Sequence, residues 1–293
     1  MADKYHDTVA ASQVTVDPGK VSAEVARIIA DAPALRSPET LRFLFSCIDL
    51  TTLRSTDSQQ SVAKFTERVN AFEEEHGDLL SVAAICVYPN FAQVVRTVLE
   101  VSQVEIACVS GGFPSSQTFP EVKVAETALA VEGGADEIDV VLNLGDFLDG
   151  DWESVADELE ELKHSCRGAR MKVIIESGAL KTPENIRAAS ILAMYSGADF
   201  IKTSTGKEFP GASLEAAYVM CRCIKEYHAK TGRRVGFKAA GGITTPEEAL
   251  QYYAIVRDVL GEEWLTNEYF RIGASRLANN LLSEILGETT SWF

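Results

Sequence analysis

Histidine is scarce in this chain of 293 residues: His76, His164 and His228 fall in helical patterns, and His6 lies near the N-terminus. A histidine-based triad or a histidine-ligated metal centre is not expected from so few. The six cysteines (47, 86, 108, 166, 221, 223) lack metal-ligand or redox spacing, and Cys221 and Cys223, two apart on a helical stretch, do not share a face. Reduced thiols are the expectation. No apolar run approaches the roughly 20 residues that span a bilayer. The opening MADKYHDTVA places acidic residues where a signal peptide needs a basic end and an apolar stretch, so a cytoplasmic protein is expected, without membrane contact. Positive charge is also in deficit, 27 Lys and Arg against 43 Asp and Glu, for a net charge of -16. Long-range repulsion opposes nucleic acid or an anionic membrane surface, but not a small anion held by local positive groups. Neither GxGxxG after the first strand nor GxxxxGK[ST] occurs, so the nucleotide-binding open sheets lack their fingerprint.

What is present is the composition of an ordinary globular protein, 46% hydrophobic and 24% charged. Residues 1 to 19 are polar, carry the turn signal Asp-Pro-Gly and read as an extension. KVSAEVARIIADA is helical, and SPETLRFLFSC opens a second helix with Ser37 as N-cap and Pro38 at its first position. The chain then alternates short apolar or β-branched runs with longer segments of helical periodicity. Eight runs read as strands: CIDLTTL, VAAICVYP, VEIACVSGG, DEIDVVLN, MKVIIESG, DFIKTSTG, VGFKAAGG and YFRIGAS. Strands alternating with helices imply a parallel sheet buried on both faces. Eight units in about 250 residues fit a (β/α)8 TIM barrel better than an open doubly wound sheet. The expected organisation is an N-terminal polar and helical extension, 1–36, followed by a single barrel domain, 37–293.

In such a barrel the chemistry sits at the C-terminal strand ends. The polar residues there are Asp49, Thr51 and Thr52 on strand one, Cys86 and Tyr88 on strand two, and Asp139 and Asn143 on strand four. Glu176 and Ser177 close strand five, Lys202, Thr203 and Ser204 strand six, Lys238 strand seven, and Gly273 to Ser275 strand eight. A lysine is among the residues least often buried, and here two interrupt apolar runs on neighbouring strands. If both face inward, desolvation and mutual repulsion leave at least one neutral near pH 7, a nucleophile toward carbonyl carbon by the Schiff-base route. The competing reading is a structural ion pair of each lysine with Asp139 or Glu176. Asp139, an acid inside an apolar strand, is the candidate for proton movement, or else an electrostatic clamp on the lysines.

Glycine turns follow strands six, seven and eight. Gly206, Lys207, Gly241, Gly242, Gly273, Ser275 and the backbone of Arg276 can form a phosphate cradle, although any one of these glycines by itself only makes a turn. Cys86 either lines the site or fills space, and Asp49 with Thr51 either contacts substrate or stabilises a strand end. Thr203, beside Lys202, is counted with the substrate contacts.

Taken together, IDLTTL, AAICVYP, EIDVVLN, KVIIESG, FIKTSTGK, VGFKAAGG and RIGAS, in this order over residues 40 to 285, closely resemble the deoxyribose-phosphate aldolase family. The resemblance implies reversible aldol cleavage of 2-deoxy-D-ribose 5-phosphate to D-glyceraldehyde 3-phosphate and acetaldehyde, in deoxyribonucleoside catabolism, with neither metal nor organic cofactor. It places the Schiff base on Lys202, its perturbation and help with proton transfer on Lys238, and the proton donor or acceptor on Asp139. A homodimer is a further family expectation. One departure is at the end: some bacterial members carry a tyrosine on a mobile tail that assists proton transfer, whereas this chain ends SWF. The alternatives are another lysine-dependent barrel aldolase of the transaldolase type, or a catalytically silent barrel that binds sugar phosphates.

Overall fold

The eight runs read as strands all form strands in the computed structural model, which describes residues 4–293. They are β1 (Ile48–Thr51), β2 (Ala84–Val87), β3 (Glu105–Ser110), β4 (Glu137–Val141), β5 (Arg170–Ile174), β6 (Phe200–Lys202), β7 (Gly236–Ala240) and β8 (Phe270–Ala274). Each pairs in parallel with its sequence neighbours, and β1 also pairs with β8, so the sheet closes into a barrel. Both faces of every strand are covered, which is why the runs are apolar almost throughout rather than alternating.

Three helices precede the barrel: α1 (Lys4–Ala10), α2 (Pro18–Ala30) and α3 (Pro38–Ser46). The Ser37 side chain accepts from the Thr40 N–H, so the cap read from the sequence forms, with proline in the first turn where no N–H partner is needed. The helices that follow the strands are α4 (Gln59–Glu75), α5 (Ala92–Val98), α6 (Pro120–Glu132), α7 (Leu144–Asp149), α8 (Trp152–Ser165), α9 (Ser177–Leu180), α10 (Pro183–Tyr195), α11 (Leu214–Thr231), α12 (Pro246–Leu260) and α13 (Arg276–Leu286). The N-terminal segment lies against this outer ring: α1 packs on α8 and α10, and α2 on α11 and α12. Tyr5, Val9 and Val14 are buried there, and Glu226 on α11 accepts from the Ser12 hydroxyl and the Gln13 N–H. No helix among the described residues is long and apolar enough to cross a membrane.

Most apolar side chains sit between the sheet and the helices, but a smaller cluster of Leu53, Ala84, Cys86, Ala107 and Val109 lines one side of the barrel interior. The register explains the placement. Asp49 pairs with Ala84, Cys86 with Ala107, and Val109 with Asp139, so these residues share the inward face. Small residues on β2 and β3 leave the interior to longer side chains from β4 to β8 and from β1.

Phe200 is one of these, its ring lying under the charged groups with Lys172 Nζ 5.9 Å and the Arg271 guanidinium carbon 5.8 Å from its centroid. The ring has room because the paired residue on β7 is glycine: a Cβ on Gly236 would lie 2.3 Å from a ring carbon. Gly236→Ala is therefore expected to lower the unfolding free energy by about 1–3 kcal/mol through overpacking. Urea titration of the two proteins checks this, and equal midpoints would show that the ring is not confined.

Candidate active site

Seven ionisable side chains meet inside the barrel, none more than 4% exposed: Asp49 (β1), Glu137 and Asp139 (β4), Lys172 (β5), Lys202 (β6), Lys238 (β7) and Arg271 (β8). Cross-strand pairing brings them together, because Asp139 is opposite Lys172, Lys202 opposite Lys238, and Lys238 opposite Arg271. Paired residues point to the same face. Space for the Lys238 stem comes from Gly273, where a Cβ would lie 3.2 Å from the Lys238 Cε.

The contacts form two tiers. In the deeper one, Arg271 reaches Asp49 Oδ1 at 2.7 Å and Glu137 Oε1 at 3.0 Å. Lys172 pairs with Glu137 and lies 3.0 Å from Asp49 Oδ2 and 3.2 Å from Asp139 Oδ1. In the upper tier a single oxygen, Asp139 Oδ2, accepts from Lys202 at 2.7 Å and from Lys238 at 2.6 Å. Lys238 also pairs with Asp49 Oδ2.

These contacts distinguish the two lysines. Burial depresses the Lys202 amine below the usual lysine range, and the neighbouring Lys238 charge adds to this against the pull of Asp139. Burial acts on Lys238 too, but there Asp139 and Asp49 together outweigh it and hold the ammonium charged. Asp139 is likewise kept ionised: the charges of Lys172, Lys202 and Lys238 overcome the burial that would protonate it. Lys202 alone of the pair opens onto a pocket at the C-terminal mouth and is 4% exposed, whereas Lys238 is wholly enclosed.

That pocket, of about 360 Å³, is lined by Lys202 together with Thr51, Gly206, Lys207, Gly241, Gly242, Gly273, Ser275 and Arg276 from the sequence-derived set. Thr205, Thr244 and Arg54, which the sequence did not single out, line it too. Gly206 and Gly241 have φ of +70° and +89°, and a Cβ on Gly241 would come within 2.9 Å of the Gly211 Cα. Only glycine lets the loops after β6 and β7 approach this closely. The Ser275 side chain makes no capping bond to α13, so the helix opens toward the pocket with its first-turn N–H groups uncapped by that hydroxyl. Lys207 Nζ donates to the Leu53 carbonyl and ties the loop after β6 to the one after β1.

Three residues of the substrate-binding set lie elsewhere. Asp49 belongs to the buried network, Cys86 packs in the small apolar cluster with its thiol pushed up by burial, and the Thr203 hydroxyl bonds both the N–H and the C=O of Ala240. Glu176 does not pair with either lysine; it accepts from the Thr205 N–H and hydroxyl and holds the loop after β6. Asn143 caps α7, and Thr52 holds Asp57. At the chain end Trp292 and Phe293 pack on Phe72, and Asn279 exchanges two hydrogen bonds with the Phe293 backbone. Phe293 is thereby fixed beside α13 and does not line the Lys202 pocket.

Lys172, Glu137 and Arg271 were not picked out from the sequence, although each is a charge inside an apolar strand and so carried the signal that marked Lys202. They lie deeper in the barrel than the C-terminal strand ends. Lys172→Met strips a cation from three buried carboxylates and is expected to cost about 3–5 kcal/mol at neutral pH. The carboxyls of Asp49 and Asp139 are held below their usual 3.8, so the stability this pairing supplies is complete above that pH and fades as the pH falls through the depressed values. Denaturant titrations at neutral and acid pH should show the penalty shrinking in acid; a constant penalty would mean that packing rather than charge was lost.

A family model, DeoC/LacD family aldolase, matches residues 43–259. Human deoxyribose-phosphate aldolase is 40% identical over 255 residues, covering 83% of this chain and 80% of the human protein, and the mouse enzyme of the same name is 41% identical over 255 residues, with 83% and 80% covered. The solved structure of deoxyribose phosphate aldolase from Aeropyrum pernix superposes with a TM-score of 0.68 at 24% identity, covering 88% of this chain and 96% of the other, which shows a shared fold. With a family model spanning most of the barrel and relatives at this level of identity, the chain belongs to the DeoC/LacD family of aldolases.

Proposed function

We propose that this protein cleaves 2-deoxy-D-ribose 5-phosphate reversibly to D-glyceraldehyde 3-phosphate and acetaldehyde through a Schiff base on Lys202. The observation that carries the assignment is the inequality of the two lysines: one faces the pocket with its amine depressed, the other is enclosed and held charged by two carboxylates. The relatives named deoxyribose-phosphate aldolase support the substrate.

The neutral Lys202 amine attacks the aldehyde carbon C1. The carbinolamine hydroxyl leaves as water with a proton from the Lys238 ammonium, giving an iminium. Loss of the C3 hydroxyl proton then breaks the C2–C3 bond; its electron pair flows into the iminium to form an enamine, and D-glyceraldehyde 3-phosphate departs. Asp139 holds both lysines through Oδ2 while its Oδ1 lies against Lys172 below, and the C3 proton passes by way of a water to the Lys238 amine, which gave up its own proton in the dehydration. Protonation of the enamine at C2 and hydrolysis release acetaldehyde and regenerate the amine. The phosphate occupies the cradle of Gly206, Gly241, Gly242, Ser275 and the first turn of α13, supplying binding energy for positioning away from the bonds that change. A cytoplasmic location accords with the six free, buried cysteines. The exposed apolar face of Phe119, Val122 and Leu129 supports a homodimer, which light scattering would detect.

Borohydride reduction in the presence of 2-deoxyribose 5-phosphate, followed by peptide mapping, is expected to leave the adduct on Lys202. Lys202→Ala should abolish trapping and lower turnover by at least about a thousandfold. An adduct on Lys238 would exchange the two roles, and no adduct on a folded protein would favour a silent barrel.

The trapping rate should rise with pH and level off below the usual lysine value of 10.5, as Lys202 loses its proton. Lys238→Met removes a repelling charge and leaves Asp139 free to hold Lys202 protonated. Both effects should move the inflection to higher pH, and an unmoved inflection would deny Lys238 its electrostatic role.

A further inference from the structure

A second cavity, of about 400 Å³, adjoins the Lys202 pocket and shares Thr51, Thr52, Arg54, Ser275 and Arg276 with it. It runs between α4 and α13, where Ser61, Arg68 and Asn279 add polar groups and Phe65 and Phe293 form apolar wall. Three arginines thus border one cavity. Arg27, Arg36, Arg96 and Arg234 are neutralised by carboxylates on this acidic surface, whereas among the described residues Arg54, Arg68 and Arg276, like Arg42, Arg167 and Arg222, have no such partner; what sets Arg54, Arg68 and Arg276 apart is that they meet at one cavity. Asp57 is the one acidic side chain in the lining, and it is turned to its own loop, accepting from the Thr52 hydroxyl at 2.8 Å and the Arg54 N–H at 2.9 Å.

The place of Arg276 is informative. It is the first residue of α13, whose first turn contains no acidic residue and whose Ser275 makes no side-chain cap. A cation at the positive end of a helix dipole is unfavourable to the helix. An anion bound over that end reverses the sign, since it meets the N–H groups and the guanidinium together. The glycines of the phosphate cradle lie on one side of this helix start, and Arg68 borders only the cavity on the other.

We propose that the second cavity is a subsite for a second phosphoryl group, so that small molecules bearing a diphosphate straddle the start of α13 and compete with the monophosphate substrate. This rests on the reading of the first pocket as a phosphate site. The two phosphoryl groups share Ser275 and Arg276, one lying toward Gly241 and Gly242 and the other toward Arg54 and Arg68. The aldolase would then be restrained by diphosphate compounds without any change in its catalytic groups.

The test compares inorganic pyrophosphate with inorganic phosphate at fixed ionic strength, both as inhibitors of cleavage and as calorimetric ligands. In the unaltered protein pyrophosphate should bind at least about tenfold more tightly and compete with substrate. Arg68→Gln should reduce that preference about five- to tenfold while leaving phosphate affinity and kcat/KM unchanged, and Arg68→Lys should retain part of it. Arg167→Gln, which removes the same charge beyond the end of α8 and outside both cavities, should leave the preference intact. Equal affinity for the two anions, an equal loss in Arg167→Gln, or pyrophosphate binding without competition would each overturn the subsite. Absence of turnover in the unaltered protein would instead sink the aldolase assignment, and calorimetry would still decide on the subsite.

Discussion

The site depends on one oxygen atom. Asp139 Oδ2 accepts hydrogen bonds from both Lys202 and Lys238, so two amines whose charges would repel one another are kept on adjacent strands. Removing a charge from water is costly, and replacing a buried ion pair by apolar side chains is often neutral or stabilising. A network of four cations and three carboxylates in the centre of the barrel is therefore poorly explained by stability. It is well explained by the need to keep one amine less basic than its neighbours in a place that water barely reaches.

The asymmetry follows from counting partners. Lys238 has Asp139 and Asp49, whereas Lys202 shares only the oxygen that Lys238 already occupies. Arg271 and Lys172 enforce the difference from below by keeping Asp49 and Asp139 ionised. The rest of the interior accommodates these charges: alanine and cysteine on β2 and β3 leave volume, Gly273 makes room for the Lys238 stem, and the Phe200 ring lies beneath Lys172 and Arg271. Function and packing are thus the same arrangement seen at two depths. The mouth above has a different character, with glycine loops and exposed arginines in a chain otherwise dominated by negative charge.

Much of this was legible in the linear chain. Alternating strand and helix periodicities, the Ser37-Pro38 helix start and the two lysines inside apolar runs follow from local chemistry, because backbone hydrogen bonding and side-chain burial impose periods that survive in sequence. The glycine turns were legible for the same reason, since a left-handed backbone selects glycine wherever it occurs. Less legible was depth. Asp49 and Thr51 sit two residues apart on one strand, yet the first is enclosed beneath the lysines and the second faces the pocket. Thr203, adjacent to Lys202, points to the other side and fastens β6 to β7.

Which residues form the barrel, and which of them carry chemistry out of place in an apolar strand, could be read along the chain, because those are properties of each residue and its near neighbours. It took the folded barrel to show which lysine opens onto the pocket, which carboxylates hold the other, and that Lys172, Glu137 and Arg271 belong to the same network. A basicity set by burial and by charges from five other strands has no expression along the chain; it exists only once the barrel has closed.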